Sequence, residues 1–320
     1  MKPKVFVSMP ISQEVKDYLM QHCDIKVWEE QEPIKRDDLL REIADVDGLL
    51  TSGRRITENL LHHAPKLKVV SNKSVGYNNF DLEAMKKHNV IGTNTPGVLD
   101  ETVADLAVGL MLAAARRISE LDQLVKSGQW TPQSWDGPFL GVDVHRATLG
   151  VIGMGRIGEA VAKRARLGFN MEVLYCNRRQ KPKAEKELGV KYADLDTLLQ
   201  QSDFVMLLTP LTPETEGMIG EREFQLMKES AIFINVSRGQ TVDEDALIRA
   251  LKNKEIYAAA LDVFQQEPVT KDHPLLQMKN VVTTPHIGSA TRKTTEAMAM
   301  KAAENLVAAL TGKEPENRVI

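Results

Sequence analysis

A glycine-rich turn between two apolar segments most constrains how this chain folds. Residues 148–168 read TLGVIGMGRIGEAVAKRARLG, in which Gly153, Gly155 and Gly158 follow a strand-like run and open a helix-like run. This spacing permits a tight turn, close approach of the backbone to a pyrophosphate, and close packing of helix on strand. A glycine-rich turn without a ligand is the alternative, but the strand–turn–helix context favours a dinucleotide-binding turn.

The residues after the next predicted strand indicate which dinucleotide binds. A carboxylate for the ribose 2′-hydroxyl is expected about 20 residues beyond the turn. The sequence has YCNRRQ there, with Asn177, Arg178 and Arg179 and no acid. A guanidinium binds a phosphate through two parallel hydrogen bonds, whereas an aspartate would repel it. We therefore predict NADP(H), with these three residues as contacts; a solvated basic loop is the alternative.

Short apolar runs alternate with amphipathic runs along the chain, a pattern typical of α/β proteins with parallel sheets. A first series of strands is predicted at Lys4–Met9, Ile25–Trp28, Gly48–Thr51, Leu67–Ser71 and Val90–Thr93. A second series of six is predicted at Thr148–Ile152, Glu172–Cys176, Phe204–Leu208, Ala231–Asn235, Ala258–Leu261 and Val281–Thr284. Six parallel strands with crossovers complete a Rossmann dinucleotide-binding domain.

Two segments outside these series set the domain boundaries. One long helix is predicted over Asp100–Lys126, with a middle that is apolar on nearly every face and so must be buried. A last amphipathic helix, Thr291–Leu310, is expected to cross back onto the N-terminal part. We predict two doubly wound parallel-sheet domains with a cleft between them: a flavodoxin-like substrate-binding domain of residues 1–98 and 288–320, and a dinucleotide-binding domain of residues 99–287.

Composition excludes several classes of protein. The net charge of −3 argues against a nucleic-acid partner, which usually requires a basic surplus. The two cysteines, Cys23 and Cys176, are too few for a disulfide framework and predict a cytoplasmic protein. The N-terminus lacks a secretory signal pattern, and the most apolar stretch, Leu106–Ala115, is too short to span a bilayer. We expect no membrane partner and no metal site.

Three ionisable residues follow three predicted strands of the second series. Arg238, Glu267 and His286 come after AIFINVS, AAALDVFQ and NVVTTP, at the sheet edge where such folds bind ligands. Arginine can hold a carboxylate or polarise a carbonyl, histidine can donate a proton, and a nearby carboxylate favours its charged form. The alternative roles are a surface ion pair for Arg238, a turn residue for Glu267 and a satisfied loop histidine for His286. We assign that last role to the other histidines considered, His22, His62, His63, His88 and His145.

These residues lie in long blocks that resemble the D-isomer-specific 2-hydroxyacid dehydrogenase family. Within that family, the chain most resembles the glyoxylate/hydroxypyruvate reductases and the 2-ketogluconate reductases. The blocks include SVGYNNFDLEAMKKHNVIGTNTPGVLDETVADLAVGLMLAAAR, LLTPLTPETEGMI, FINVSRGQTVDEDALIRAL, ALDVFQQEP and VVTTPHIGSAT, and the match covers essentially the whole chain. The resemblance implies NADPH-dependent reduction of small 2-oxo acids, namely glyoxylate, hydroxypyruvate or 2-ketogluconate, to D-2-hydroxy acids. It places the catalytic set on Arg238, Glu267 and His286.

The resemblance also implies binding residues and an assembly. The substrate carboxylate is expected at Ser74, Val75 and Gly76, with Arg238 and His286, and the nicotinamide at Asp262. Further cofactor contacts are expected at Thr102, Arg156, Ile157, Thr209, Pro210, Thr215, Val236, Ser237, Arg238, His286 and Gly288. A homodimer through the cofactor domains is implied, with Trp130 or Trp135 reaching the partner's active site.

Some features leave alternatives open. Many relatives have Asp where this chain has Asn78, and Lys73 is either a source of charge for the substrate or a solvated lysine. A nucleotide-sensing binding protein, such as a co-repressor, is a competing function on the same fold. A phosphoglycerate dehydrogenase is another, although many of those have a C-terminal regulatory domain and an acid at the ribose position, which this chain lacks.

Overall fold

The computed structural model describes residues 1–30, 32–131, 137 and 139–320, so Trp135 lies outside the described residues. The chain forms two compact units. The first unit comprises Met1–Leu99 and Ser289–Ile320, and the second comprises Asp100–Gly288.

The elements alternate along the chain as expected of an α/β protein. The strands are β1 (Lys4–Val7), β2 (Asp24–Val27), β3 (Gly48–Thr51), β4 (Val69–Asn72), β5 (Ile91–Thr93), β6 (Thr148–Ile152), β7 (Glu172–Cys176), β8 (Lys191–Tyr192), β9 (Phe204–Leu207), β10 (Ile232–Asn235), β11 (Ala258–Leu261) and β12 (Val281–Thr283). The helices are α1 (Gln13–His22), α2 (Arg36–Ile43), α3 (Glu58–His63), α4 (Leu82–Lys87), α5 (Asp100–Ala115), α6 (Ile118–Lys126), α7 (Arg156–Phe169), α8 (Pro182–Leu188), α9 (Leu195–Gln201), α10 (Glu221–Leu226), α11 (Glu244–Asn253) and α12 (Arg292–Leu310). Short 3₁₀ helices lie at Gly239–Thr241 and Pro274–Gln277.

The first unit is a five-stranded sheet in the order β2-β1-β3-β4-β5, with every pairing parallel. Adjacent residues of its central strands point to opposite faces, and both faces are apolar. Leu49 and Val70 join one buried cluster, whereas Leu50 and Val69 join another that includes Leu306 of α12. Burial on both faces explains why these strands read as continuous apolar runs.

Helix α12 packs on the first unit although it follows the second in sequence. The Thr291 hydroxyl accepts a hydrogen bond from the amide of Thr294 and caps the helix N-terminus. Its apolar face packs against β3, β4 and α1. The hydroxyl of Ser71 donates to the carbonyl of Ala302 over 2.7 Å, which satisfies a buried hydroxyl within this contact.

The second unit is a parallel sheet of seven strands in the order β12-β11-β10-β9-β6-β7-β8. The sequence-based prediction of six strands is therefore wrong by one. The additional strand, β8, has two residues, Lys191 and Tyr192, and pairs with Leu174 and Tyr175 of β7. Both of its residues are exposed, so it has no apolar run to reveal it. The prediction of two parallel α/β units is confirmed.

The prediction of one continuous helix over Asp100–Lys126 is also wrong, because the helix breaks between α5 and α6. Arg117 adopts a left-handed backbone conformation with φ of 53°. Its guanidinium forms two 2.8 Å hydrogen bonds to the carboxylate of Glu120 and one to the carbonyl of Leu140. These contacts hold the turn that redirects the chain. Among the helices of the described residues, none has the length and apolar character that a bilayer span requires.

Candidate active site

The glycine-rich turn follows β6 and leads into α7. Gly153 has φ of 103°, and a Cβ there would lie 2.9 Å from the carbonyl carbon of Leu208 and the nitrogen of Thr209. A Cβ on Gly158 would lie 2.5 Å from the carbonyl oxygen of Gly153, whereas one on Gly155 would meet nothing within 4 Å. Gly153 and Gly158 therefore permit the turn and its packing on α7. The space at Gly155 stays open for a ligand.

The start of α7 fits the pyrophosphate of a dinucleotide. The first amides of a helix, here those of Arg156 and Ile157, have no intrahelical partner and lie at the positive end of the helix dipole. The Arg156 side chain is mostly exposed and lies 3.4 Å from the carboxylate of Asp100 at the start of α5. Open space above Gly155 and unpaired amides beside it are the features that bind phosphate groups.

Asn177, predicted as a ribose contact, ties the end of β7 to the glycine turn. Its Oδ1 accepts a 2.7 Å hydrogen bond from the amide of Met154, and its Nδ2 donates to the carbonyl of Met154 over 3.2 Å. The amide side chain is needed for this reciprocal pair because a carboxylate can only accept. Asn177 therefore has a structural role next to the ribose position, and a cofactor contact there stays a prediction.

Arg178 and Arg179 lie exposed in the loop between β7 and α8. The nearby Lys181 and Lys183 lie within 4 Å of glutamates of α7 and α8. Neither arginine forms such an ion pair within the described ranges. The hydroxyl of Thr212 and then the charge of Arg178 lower the pKa of the Glu214 carboxyl. The arginines remain accessible to an anionic ligand at this end of the sheet.

A compact turn follows β9 beside the glycine turn. The hydroxyl of Thr215 donates to the carbonyl of Pro210 over 2.6 Å, and that of Thr209 lies 3.5 Å from the sulfur of Met218. Thr102 lies partly exposed in the first turn of α5. Their cofactor contacts, predicted from the sequence, remain predictions.

Asn235, which the sequence-based analysis did not single out, organises the turn that carries Arg238. This residue ends β10 and is 1% exposed. Its Oδ1 accepts hydrogen bonds from the amide and the hydroxyl of Ser237, and its Nδ2 donates to the carbonyl of Arg238. The hydroxyl of Thr241 donates to the same carbonyl over 2.6 Å. The sequence signal for this role of Asn235 is its position as a polar residue at the end of the apolar run AIFIN. Val236 lies partly exposed in this turn.

Gly239 allows the Arg238 turn to pack against the loop after β11. A Cβ at Gly239 would lie 1.8 Å from the carbonyl carbon of Phe264, so any side chain would displace that loop. The amide of Phe264 in turn donates a 3.0 Å hydrogen bond to Oε1 of Glu267. This close backbone approach brings two of the three predicted catalytic residues together, and no feature of the sequence motif specifies it.

Glu267 and His286 form a direct pair. Oε2 of Glu267 lies 2.7 Å from Nδ1 of His286, and both side chains are partly exposed. Burial acts to raise the pKa of Glu267, but the hydrogen bond from His286, the amide of Phe264 and the charges of His286 and Arg238 together lower it. Burial lowers the pKa of Arg238, and Glu267 opposes that effect. The three predicted catalytic residues therefore form one electrostatic group.

The buried carboxylate of Asp262 holds the turn that carries His286, which has a left-handed φ of 53°. The amide of His286 donates to the Asp262 carbonyl over 2.9 Å. The Asp262 carboxylate accepts hydrogen bonds from the hydroxyl of Thr284 and the amides of Ile287 and Gly288, at 2.6 to 2.8 Å. A non-glycine residue at positive φ persists only where its surroundings fix it. Asp262 supplies that constraint.

In the first unit, the predicted carboxylate-binding loop follows β4. The carbonyls of Ser74, Val75 and Gly76 accept hydrogen bonds from the Thr95 amide and from the side chains of Asn94 and Asn72, respectively. Within the part of the chain that the structure describes, the amides of Val75 and Gly76 donate no hydrogen bond. A loop held through its carbonyls with two available amides suits a carboxylate ligand.

The sequence alone does not determine the roles of two residues in and beside this loop, Lys73 and Asn78. Burial lowers the pKa of Lys73, so this residue is not a fully solvated lysine. Asn78 is exposed, and the loop beside it is held by Asn79, whose Nδ2 donates to the carbonyl of Arg54 over 2.8 Å. The loop is therefore held by hydrogen bonds of its own although Asn78 stands where many relatives have Asp.

The second unit combines a parallel sheet, a glycine-rich turn before α7 and an arginine–glutamate–histidine group at the carboxyl ends of its strands. Fold and site together define an α/β protein with a domain of the dinucleotide-binding type. Comparison with known proteins identifies the family. Residues 108–288 match the family model described as "D-isomer specific 2-hydroxyacid dehydrogenase, NAD binding domain". The chain belongs to the D-isomer specific 2-hydroxyacid dehydrogenase family, which confirms the resemblance.

Individual relatives match over the full length. The chain is 47% identical over 319 residues to a glyoxylate/hydroxypyruvate reductase B of Klebsiella pneumoniae, with 100% of this chain and 98% of the relative covered. A solved structure of a protein from Thermus thermophilus has a TM-score of 0.91 and 40% identity, covering 99% and 100% of the two chains. An NADPH-dependent glyoxylate/hydroxypyruvate reductase from Sinorhizobium meliloti, in complex with NADP and malonate, has a TM-score of 0.86 and 31% identity, covering 100% and 97%.

Proposed function

We propose that this protein reduces small 2-oxo acids, foremost glyoxylate and hydroxypyruvate, to D-2-hydroxy acids with NADPH. The observation that carries the proposal is the 2.7 Å pair of Glu267 and His286 in one electrostatic group with Arg238. The relatives named glyoxylate/hydroxypyruvate reductase B support the substrate class. The relative solved with NADP supports the cofactor.

Arg238, Glu267 and His286 each have a different role in the proposed carbonyl reduction. A nicotinamide cofactor, when bound, would supply the hydride for the carbonyl carbon. His286 donates a proton to the carbonyl oxygen, which becomes the hydroxyl, and is left as neutral imidazole. Glu267 binds Nδ1, so the other ring nitrogen is the one that delivers the proton. Arg238 presents a fork of donors that can polarise the carbonyl and bind the substrate carboxylate.

We assign the substrate carboxylate also to the amides of Val75 and Gly76. Both amides are without a protein partner in the described residues, and the loop around them is fixed through its carbonyls. This preorganisation means that a carboxylate can bind without first ordering the loop. The 2-oxo-carboxylate is common to glyoxylate, hydroxypyruvate and 2-ketogluconate, so these amides act on all three.

The experiment that tests the function is an initial-rate assay of NADPH oxidation with glyoxylate, hydroxypyruvate and 2-ketogluconate. We expect turnover with the first two, and the third tests how large a substrate tail the site accepts. Binding of NADPH without turnover of any of the three would contradict the proposal and favour a nucleotide-sensing protein on the same fold.

We also propose that the protein is a homodimer through its second unit. Helix α6 buries none of its side chains, although it is strongly amphipathic. Ile118 and Val125 on this helix are 54% and 53% exposed, and the nearby Trp130 and Leu140 are 57% and 71% exposed. Exposed apolar side chains concentrated in one segment are typical of a protein interface. Light scattering coupled to size-exclusion chromatography should give twice the 35.7 kDa chain mass.

The cysteines fit the proposed cytoplasmic location. Cys23 and Cys176 are both free thiols. Burial raises the pKa of Cys23 to about 11 and also raises that of Cys176. Neither thiol is therefore activated for redox chemistry at neutral pH.

A further inference from the structure

The first unit brings together three side chains that can bind a metal ion. Glu58 and His62 lie one turn apart on α3, and His88 follows the last residue of α4. One ligand atom from each lies within 4.8 Å of the others. Residues four apart on a helix share one face, which is also how two ligands reach one ion in helical zinc sites.

One residue of this cluster, His88, has an unsatisfied ring nitrogen. Its Nε2 is inaccessible to solvent and has no hydrogen-bond partner among the described residues. The rings of His88 and His62 meet edge to face, with centroids 4.8 Å apart. The expectation that both histidines are satisfied loop residues is therefore wrong for His88. A buried polar atom without a partner destabilises the fold unless a ligand completes it.

The charges at the cluster also suit a cation. An ion pair with Lys87 lowers the pKa of the Glu58 carboxyl, with smaller effects from His62 and His88 in the same direction. Glu58 is therefore a carboxylate at neutral pH and can act as a ligand. The side chains of His62 and Glu58 are 62% and 45% exposed, so an ion can reach them from solvent.

The geometry points to a divalent transition-metal site formed by Glu58, His62 and His88. Two imidazoles and one carboxylate suit zinc or nickel rather than magnesium or calcium, which prefer oxygen ligands. Ligand atoms around a tetrahedral zinc lie about 3.4 Å apart, given metal–ligand bonds of about 2.0–2.2 Å. The ligand atoms of the three side chains lie within 4.8 Å of one another, so they would have to approach by at most about 1.4 Å to reach that arrangement. Water would complete the coordination on the exposed side.

The site would join α3 to α4 on the first unit and is independent of the reductase chemistry. An ion bound through Nε2 of His88 would satisfy that nitrogen. The ammonium of Lys87 would compete with the ion for Glu58. Sequence spacing does not reveal the site because His88 is distant in sequence from the Glu58–His62 pair.

The test is isothermal titration calorimetry of ZnCl₂ into untagged protein that has been stripped of metal with a chelator. We expect one saturable equivalent of zinc in the wild type. His62→Gln and His88→Gln should each weaken binding by at least about tenfold, a change of about 1.4 kcal/mol. The matched control is His63→Gln, because the neighbouring His63 binds the carbonyl of Asn59 and is not in the cluster. His63→Gln should bind zinc like the wild type.

A fourth variant is expected to increase the affinity for zinc instead of lowering it. Lys87→Met removes the competing ammonium and should tighten zinc binding, by up to about fivefold for an exposed charge pair. No saturable binding by the wild type would overturn the site, as would an equal loss in His63→Gln. Weaker binding in Lys87→Met would contradict Glu58 as a ligand. The His62 and Lys87 positions are exposed, so their variants stay informative if His88→Gln fails to fold.

Discussion

Nδ1 of His286 lies 2.7 Å from Oε2 of Glu267, and the second oxygen of Glu267 accepts a hydrogen bond from the amide of Phe264. The amide fixes the carboxylate, and the carboxylate fixes the imidazole. Because Nδ1 is engaged, Nε2 is the ring nitrogen that remains for a substrate. This relationship fixes His286 in the position that the proposed role of proton donor requires.

Replacing Glu267 with Gln should change how reduction depends on pH. Glutamine keeps an oxygen for the Phe264 amide but removes the carboxylate that binds Nδ1 of His286, so kcat/KM should fall and should lose the part of its acid limb that reports this carboxylate. The pKa of Glu267 is lowered, so the wild-type pair is fully present above the ordinary glutamate pKa and is lost as pH falls through the lowered value. Profiles of kcat/KM against pH for both proteins check this, and an acid limb that persists unchanged in Glu267→Gln would reject the pairing.

Replacing Arg238 should affect both binding and catalysis. Arg238→Ala removes the donors proposed for the carbonyl and the carboxylate, so KM should rise and kcat should fall. Arg238→Lys retains the charge without the planar fork and should recover only part of the activity. The measurement is steady-state kinetics with glyoxylate at saturating NADPH. A variant in which KM alone changes would show that Arg238 binds the substrate without polarising it.

Replacing Asp262 with Asn should destabilise the turn of His286. The Asn amide would face a backbone N–H that now donates to the carboxylate, leaving a buried donor unpaired at a cost of about 1–3 kcal/mol. We expect a lower Tm and a lower kcat. Asp243→Asn is the matched control, because Asp243 only caps α11 and asparagine caps equally well. Equal Tm values for the two variants would contradict the role of Asp262.

The exposed arginines after β7 should set the cofactor preference. Charge-assisted contacts to a 2′-phosphate, discounted for exposure, contribute about 1–2 kcal/mol each, which gives about a 30- to 700-fold preference for NADPH. Arg178→Ala/Arg179→Ala should lose most of the NADPH rate and leave NADH little changed. Added salt should reduce the wild-type preference. The variants in this test retain Asn177, because an aspartate at that position could not donate a hydrogen bond to the carbonyl of Met154.

The control for this prediction is Lys183→Ala, which removes a nearby cation that pairs with Glu187 of the same helix. Its kcat/KM values for both cofactors should match the wild type at fixed ionic strength. A wild type that uses NADH as well as NADPH would show that the loop is a solvated basic segment.

Local sequence patterns predicted the parts of this molecule that local geometry determines. Gly153 and Gly158 have the turn and packing roles that their spacing indicates. Apolar runs located the buried strands, because burial on both faces leaves a continuous signal. The exposed two-residue strand Lys191–Tyr192 gave no such signal.

Features that depend on distant contacts were not predictable in this way. At the break between α5 and α6, Arg117 donates a hydrogen bond to the carbonyl of Leu140, 23 residues further along the chain. The requirement for Gly239 appears only when Phe264 packs against it. The unsatisfied nitrogen of His88 follows in the same way from the packing of α4 beside α3.

The most direct test of the proposed function compares the wild type with His286→Ala in glyoxylate reduction by NADPH. A positioned proton donor contributes about 10²–10⁴-fold in rate. We predict a loss of kcat in that range while NADPH still binds, because the glycine turn keeps its own contacts and His286 is only one of many expected cofactor contacts. A His286→Ala enzyme that retains near-wild-type kcat would contradict the assignment of His286 as the acid.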